Sequence, residues 1–309
     1  MDAEMKLEAI GNLGHRLMLA RTLPPRLVLA KIAKRLPWSN RRSVRVAEIV
    51  HSPRDLRPDR LLEFYRMQET LLLEHNGRSP IDFRGRNVIE IGPGPLAGWG
   101  PMAIFRGAEC VYSVDPDWVD GAFSDPAVEA AYLRPHHAAL TEAFGALMPY
   151  EEFRTRLSDK LTVEARGLDA AQPEFTADVV ISNSCLEHIV SLDVALMALA
   201  ALSAPGARFM HLVNFGNHRD QLSPFSTIYE MPPSDYRIRY GNHINLWRPS
   251  DVRAAFAAAG IEAEMTIVDQ PHEKVADVDI HTHWKDRYSI DELAVRTALF
   301  CEPINGVEK

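Results

Sequence analysis

Residues 88–98 read Val-Ile-Glu-Ile-Gly-Pro-Gly-Pro-Leu-Ala-Gly, an apolar run that holds one acidic residue and ends in a turn with two closely spaced glycines. A second apolar run, residues 110–114, is followed by Asp115, twenty-one residues after Gly94. In α/β folds such glycines let the backbone approach a ligand, and a carboxylate at the next strand end accepts hydrogen bonds from ribose hydroxyls. The pattern predicts an adenosine-type ligand. A dinucleotide stays possible at this point, because Gly-x-Gly-x-x-Ala also fits that fingerprint.

The composition is that of an ordinary globular chain. Its 309 residues are 46% apolar and 25% charged, enough for one large domain or one domain with an appendage. Cys110, Cys185 and Cys301 lie far apart, so they predict neither a disulfide framework nor a cysteine metal site. The start has no signal-peptide pattern, and no apolar run approaches the roughly 18 residues of a spanning helix. We therefore expect a cytoplasmic protein without a transmembrane segment.

Charge is unevenly distributed along the chain. Residues 1–46 hold ten Lys/Arg against three Asp/Glu, whereas the remainder holds 24 against 39. The acidic body argues against binding of nucleic acid through its phosphates. Within the basic arm, prolines bracket a predicted helix over residues 25–36 with an apolar stripe at helical spacing. This helix either packs on the body with its charges in water or contacts an anionic substrate or a membrane surface.

A second helix is predicted from Pro58 to His75, with Asn76-Gly77 as its end. Its inward side chains are predicted to be Leu61, Phe64, Tyr65, Leu71 and Leu72. The two helices predict an N-terminal helical cap over residues 1–85, followed by a larger domain over residues 86–309.

From residue 86 onward, strand and helix patterns alternate. Strands are predicted near 87–91, 110–114, 161–166, 177–182, 207–214, 261–268 and 297–302. Helices are predicted over 98–106, 126–133, 136–147, 150–158, 192–202 and 248–259. The helix over 192–202, capped by Ser191, is almost wholly apolar and is expected to be buried. This alternation predicts an α/β fold of the Rossmann-like type, with a mostly parallel seven-stranded sheet and helices on both faces.

Several motifs now occur in the order and spacing of one family. They are Glu90-x-Gly92-x-Gly94, Asp115, residues 167–170, the run 178–188 that ends in Asn-Ser-Cys-Leu-Glu-His, the Pro-Gly turn 204–209 and the run 241–249. Residues 86–304 thereby resemble the core of a class I S-adenosylmethionine-dependent methyltransferase. One departure is Leu96, where many members have a third glycine.

The resemblance implies S-adenosylmethionine as the cofactor, with Asp115 on the ribose and Asp169 by the adenine amine. The cofactor-binding set that it implies is Glu90, Gly92, Pro93, Gly94, Asp115, Pro116, Leu168, Asp169, Asn183 and Ser184. A nicotinamide-dependent oxidoreductase would explain the glycine turn and the acid, but not the fourth-strand motif. A non-catalytic protein that binds S-adenosylmethionine is the remaining alternative, and the intact glycines and strand-end acid argue against it.

Methyl transfer needs mainly in-line positioning, and a hydroxyl acceptor also needs a general base. The candidate bases are His188, at the end of the fourth strand, and His218 and His243, in a long segment over residues 216–247. We call this segment the insertion. It is rich in Pro, Tyr and Phe and is predicted to be a lid over the acceptor. The expected acceptor is a small molecule with a hydroxyl oxygen, such as a sugar or natural product, and nitrogen is the second possibility.

Asp277, Asp279, His281 and His283 alternate with apolar residues, which would place the four on one strand face. Their residue types suit a divalent metal. Metal-dependent methyltransferases draw their acids from the fourth-strand region, which offers Asn183 and Ser184 here. We therefore expect no metal, and a face that is solvated or in contact with another subunit.

Overall fold

A seven-stranded sheet forms the centre of the molecule. The structure is a computed structural model that describes residues 41–51, 58–76, 79–94, 98–218 and 222–302. The strands are β1 (Asn87–Ile91), β2 (Cys110–Val114), β3 (Leu161–Glu164), β4 (Ala177–Asn183), β5 (Ser203–Asn214), β6 (Glu264–Asp269) and β7 (Thr297–Cys301). Their order in space is β3-β2-β1-β4-β5-β7-β6. The first five are parallel, and β7 runs antiparallel to both β5 and β6. This confirms the predicted mostly parallel sheet.

Helices cover both faces of the sheet. They are α1 (Arg41–His51), α2 (Pro58–Asn76), α3 (Gly100–Phe105), α4 (Pro126–Val128), α5 (Arg134–Phe144), α6 (Tyr150–Lys160), α7 (Leu192–Leu202), α8 (Pro233–Tyr240), α9 (Pro249–Ala258), α10 (His272–Ala276), α11 (Thr282–Lys285) and α12 (Ile290–Leu293). A π-helical turn, Glu129–Leu133, joins α4 to α5. The predicted break between these helices is therefore absent. Pro135 lies in the first turn of α5, where a missing N–H is tolerated.

One face of the sheet shares a core with the N-terminal helices. Ile49 of α1 and Tyr65 of α2 are buried in the same cluster as Val88 of β1 and Met102 of α3, and Leu71 packs partly buried against it. The helix predicted over residues 25–36 and the side chains predicted inward at 61, 64 and 72 lie outside the described part. The division into a cap and a larger domain at residue 85 stays a prediction, and the two sides of that boundary share one core.

The opposite face is covered by α7 and α9. The buried residues of α7 are Leu192, Ala195, Leu196 and Leu199. Val194 and Met197, on its other side, are 43% and 53% exposed. The prediction of a buried helix was therefore wrong, because the sheet and α9 cover only one side of α7. Ser191 occupies the N-cap position, but its side chain makes no capping hydrogen bond.

A third, smaller core lies under the insertion. Tyr229, Tyr236 and Leu246 are buried together with Ile280 and Trp284. The stretch that contributes the last two was predicted to be a strand with a polar face, and that prediction was wrong. Residues 272–293 instead form the short helices α10, α11 and α12, which turn their apolar side chains toward the insertion.

The four polar residues of that stretch do not converge on one point. Asp277, Asp279 and His281 are exposed, and Nδ1 of His281 accepts a hydrogen bond from the backbone N–H of His283. Among the described helices, none is long and apolar enough to cross a membrane.

Candidate functional site

A cavity of about 580 Å³ opens where the parallel strands end. Open α/β sheets bind ligands at the carboxyl ends of their strands. Of the residues predicted for the site, those that line the cavity are Gly92, Asp115, Pro116, Leu168, Asp169, Ser184 and His188. The other predicted residues, Glu90, Pro93, Gly94, Asn183, His218 and His243, do not line it.

The two glycines of the turn differ in what they face. Both have a φ of +68°, the left-handed region that favours glycine. A β-carbon on Gly92 would lie 2.3 Å from Sγ of Cys185, in the loop after β4. A β-carbon on Gly94 would meet no described atom within 4 Å. Gly92 is therefore required for packing within the protein, whereas Gly94 leaves space beside the cavity.

Asp115 fixes the glycine turn from the end of β2. Its Oδ2 accepts a hydrogen bond of 2.8 Å from the backbone N–H of Gly94, and its Oδ1 accepts one from the backbone N–H of Asp117. Arg45 of α1 is buried and donates from Nη2 to the carbonyl of Asp117 at 2.7 Å. In the sequence Arg45 was only one of the basic residues before position 47, and the structure shows that it ties α1 to the loop carrying the acid.

Glu90 is buried beneath the turn and does not face the cavity. Its two carboxylate oxygens accept hydrogen bonds from the backbone N–H groups of Trp99, at 2.6 Å, and Gly100, at 3.0 Å. Burial raises the pKa of Glu90 to about 8. A β-carbon on Gly98 would lie 1.9 Å from Oε1 of Glu90, which explains a glycine there. The Glu90 carboxylate thus holds the start of α3.

Apolar side chains form part of the cavity walls beyond β3 and β4. Leu168 is buried in a single 3-10 turn, Leu168–Ala170, and Asp169 lies beside it at the cavity. Val190 and Val194 line the other side. The exposed side of α7 is therefore the wall of a cavity, which the sequence did not reveal because the helix reads as apolar all round.

The three candidate histidines lie close together beyond the end of β4. The ring centroids of His188 and His218 are 4.8 Å apart, with the rings perpendicular. Nδ1 of His188 lies 2.5 Å from the carbonyl oxygen of His243. Nε2 of His243 lies 3.2 Å from the hydroxyl of Tyr236 on α8. The insertion and the end of β4 thus meet, and of the three histidines only His188 lines the cavity.

Asn245 and Glu187, which were not among the predicted site residues, hold the three histidines in this arrangement. Asn245 is buried, and its amide nitrogen donates to the carbonyls of Leu186 and Ile189. Its backbone N–H donates to the carbonyl of Glu187 at 2.7 Å. Asn245 and Glu187 both lie in quoted motifs, but a buried amide that bridges two distant loops has no local sequence signal.

Glu187 is a buried acid beside the histidines. Its side chain is 4% exposed, and Oε1 lies 3.6 Å from Nε2 of His218. Burial raises the pKa of Glu187 to about 8, and the nearby backbone N–H groups of Glu187 and Asn214 offset this shift only partly. Burial and the neighbouring His188 lower the pKa of His218. The site therefore favours a neutral imidazole next to a neutral carboxyl group.

His211 is a fourth histidine at a strand end, and the structure gives it a packing role. It is fully buried in β5, where its ring stacks on Phe209 at 5.6 Å and its Nδ1 pairs with the hydroxyl of Ser182 at 2.8 Å.

A parallel sheet with a glycine turn after its first strand, an acid after its second and a cavity across their ends defines the class of Rossmann-like S-adenosylmethionine-dependent methyltransferases. Residues 63–265, more than half of the chain, match the family model described as a methyltransferase domain. The chain belongs to this family and is a class I methyltransferase whose cofactor is S-adenosylmethionine. No curated protein matches the sequence significantly.

Solved structures with a similar fold include methyltransferases with different acceptor atoms. An O-methyltransferase family protein from Burkholderia thailandensis is 15% identical, with 84% of this chain and 63% of that one covered and a TM-score of 0.43. Geranyl diphosphate C-methyltransferase from Streptomyces coelicolor is 16% identical, with 78% and 81% covered and a TM-score of 0.43. Phosphoethanolamine N-methyltransferase 2 from Haemonchus contortus is 13% identical, with 82% and 57% covered and a TM-score of 0.45.

The chain spans less than two thirds of the Burkholderia and Haemonchus proteins. These similarities concern the fold alone and do not indicate the acceptor.

Proposed function

We propose that this methyltransferase acts on a hydroxyl oxygen of a small molecule, of the sugar or natural-product kind. The observation that carries the proposal is the cluster that His188, at the cavity, forms with His218 and His243 of the insertion. An acceptor hydroxyl must lose its proton as the new carbon–oxygen bond forms, and a neutral imidazole can take that proton near neutral pH. An amine acceptor that is already neutral would not need such a group.

For the cofactor, we propose that Asp115 accepts hydrogen bonds from both ribose hydroxyls. Asp169 would lie by the adenine amine, between the apolar walls formed by Leu168 and Val194. Gly94 would leave room for the methionine portion of the cofactor. The support for this orientation is the position of these residues around one cavity at the strand ends.

The first prediction concerns Asp115. Asp115→Ala removes the proposed charge-assisted hydrogen bonds to both ribose hydroxyls, which together should weaken binding by about 1.5–3 kcal/mol. We expect the affinity for S-adenosylhomocysteine, measured by titration calorimetry, to fall roughly ten- to a hundredfold. Asp159→Ala, at an exposed position on α6, serves as the control and should bind normally. Unchanged affinity in Asp115→Ala would place the ribose elsewhere.

The second prediction concerns the base. Among the three histidines, His188 lines the cavity, so His188→Ala should lower kcat about a hundred- to ten-thousandfold. The affinity for S-adenosylhomocysteine should change little, because that change leaves Asp115 and the glycine turn intact. A loss of cofactor affinity equal to the loss of kcat would instead make His188 a cofactor contact.

A methylation screen over small metabolites, with a donor labelled in the methyl carbon, tests the acceptor. The NMR shift of the labelled carbon in the product distinguishes a methyl group on oxygen from one on nitrogen or carbon. A product labelled on nitrogen would overturn the proposed acceptor and leave the methyltransferase assignment intact.

A further inference from the structure

The buried acid at the end of β4 lacks the partners that a buried carboxylate usually has. Glu187 is 4% exposed, and no side chain among the described residues donates a hydrogen bond to its carboxylate oxygens, near which lie the backbone N–H groups of Glu187 and Asn214. Buried polar groups are nearly always satisfied, and an exception needs a physical explanation. The carboxylate is aimed at His218, whose buried Nε2 also has no hydrogen-bond partner in the described part of the chain.

These two groups and His188 form one compact cluster. One potential ligand atom from each of Glu187, His188 and His218 lies within 4.8 Å of the other two. The three come from two elements: the turn Leu186–His188 after β4, and the start of the insertion. The cluster is distinct from the stretch at Asp277–His283, whose polar residues point apart in the structure.

We propose that Glu187, His188 and His218 bind a divalent transition-metal ion of the zinc type. Two imidazole nitrogens and one carboxylate oxygen form a ligand set that suits zinc and leaves a coordination position open. Magnesium prefers an all-oxygen environment, so this set disfavours it. A bound cation would give the buried carboxylate and the imidazole of His218 the partners that the protein does not supply.

The geometry needs only a small adjustment to hold such an ion. With metal–ligand bonds of about 2.1 Å, two ligand atoms in a tetrahedral zinc site lie about 3.4 Å apart. Oε1 of Glu187 and Nε2 of His218 are already 3.6 Å apart. His188 is exposed at the cavity, and its ligand atom lies within 4.8 Å of those of Glu187 and His218.

The surroundings also orient the proposed ligands. Nδ1 of His188 pairs with the carbonyl oxygen of His243, which leaves Nε2 for the metal. A second hydrogen bond of this kind fixes the tautomer of metal-binding histidines. Asn245 holds the turn that carries Glu187 and His188 through its contacts with three backbone carbonyls.

The open position gives the metal a role in the proposed reaction, and this part rests on the proposed hydroxyl acceptor. A hydroxyl bound to the ion has a lowered pKa and releases its proton to solvent. The resulting alkoxide oxygen forms the bond to the methyl carbon. The electron pair of the broken carbon–sulfur bond stays on sulfur, which gives neutral S-adenosylhomocysteine. With the ion bound, His188 and His218 are ligands, and the lowered pKa of the metal-bound hydroxyl takes the place of proton abstraction by an imidazole; the hydroxyl acceptor itself is unchanged.

Metal binding to the full-length protein tests the site without an acceptor. After treatment with a chelator, calorimetry with Zn²⁺ should show one bound equivalent, and Co²⁺ should give visible absorption bands typical of nitrogen and oxygen ligands. Glu187→Gln keeps the shape of the side chain and should weaken Zn²⁺ binding at least a hundredfold. His218→Asn should do the same, so the test does not depend on one variant that folds poorly.

His283→Ala is the matched control. It removes a histidine from the stretch Asp277–His283, whose polar residues form no group of potential metal ligands in the described part of the chain. It should bind Zn²⁺ like the wild type, and retained binding of S-adenosylhomocysteine shows that each variant is folded. No Zn²⁺ binding by the wild type, or equal binding by Glu187→Gln, would overturn the site. If the site fails while an O-methylated product forms, the proposed function stands. If Zn²⁺ binds but the methyl group appears on nitrogen, the proposed function fails and the site stands.

Discussion

The two glycines of the glycine turn belong to one sequence motif, but glycine is required at each position for a different physical reason. Gly92 and Gly94 share the same left-handed φ of +68°. A β-carbon at Gly92 would clash with Cys185, whereas one at Gly94 would meet no atom of the described residues within 4 Å. Because Gly94 has no β-carbon, we place part of the cofactor beside it. The motif therefore combines one position at which packing requires glycine with one at which we propose that the cofactor requires it.

The third prediction compares alanine at these two positions. Both changes force a side chain into the left-handed region, which costs about 1–2 kcal/mol. Gly92→Ala adds a clash with Cys185, so it should lower the free energy of unfolding considerably more than Gly94→Ala. Gly94→Ala should remain folded but bind S-adenosylhomocysteine weakly. Chemical denaturation and calorimetry measure the two effects, and normal binding by Gly94→Ala would show that the cofactor does not approach this position.

At the scale of elements, the turn after β4 and the insertion form one unit. The turn supplies Glu187 and His188, and the insertion supplies His218 and His243. Asn245 joins them through hydrogen bonds to the carbonyls around that turn. The small core under the insertion, which includes Trp284, supports it from the other side. The geometry of the acceptor site thus depends on contacts between elements that are far apart in sequence.

The fourth prediction tests this connection. Asn245→Ala leaves two carbonyls without their donor, and we expect a loss of about 1–3 kcal/mol in the free energy of unfolding. Because Asn245 positions the histidines without touching the proposed cofactor site, kcat should fall while the affinity for S-adenosylhomocysteine changes less than about threefold. Asn242→Ala, at an exposed position of the same insertion, is the control. Equal effects of Asn245→Ala on kcat and affinity would show that the insertion also holds the cofactor.

At the scale of the whole molecule, the free energy of unfolding depends on pH through a histidine inside the core. Burial lowers the pKa of His211 to about 3. An unfolded histidine has a pKa of about 6.5, so between these values the unfolded chain binds a proton that the folded protein excludes. Stability rises with pH in this window, and the contribution of His211 is lost progressively as the pH falls below about 6.5.

The fifth prediction follows from this rise of stability with pH. When the pH is lowered from 6.5 to 5, protonation of His211 in the unfolded chain should reduce the unfolding free energy of the wild type by about 2 kcal/mol. The slope is about 1.4 kcal/mol per pH unit. His211→Phe keeps an aromatic ring between Phe209 and Phe256 and removes the titration, so its stability should fall less over the same range. Urea denaturation at the two pH values measures the difference. Parallel pH dependence in both proteins would mean that another group dominates.

The sequence by itself determined the class of the molecule and most of its sheet. Hydrophobic periodicity and the spacing of the glycine turn from Asp115 are local patterns, so they were sufficient to predict the seven strands of the sheet. The predicted boundaries of β1 and β2 agree with the structure, and Gly92, Asp115 and Leu168 line the cavity.

Only the tertiary structure decided which side chains face the cavity and which face the core. Glu90 turned inward to hold α3, and Val194 turned outward to line the site, although both lie in segments whose type was predicted correctly. The direction of a side chain depends on what other elements leave uncovered, and no local pattern records that. For the same reason, the cluster of Glu187, His188 and His218 became visible only when the insertion was placed against the end of β4.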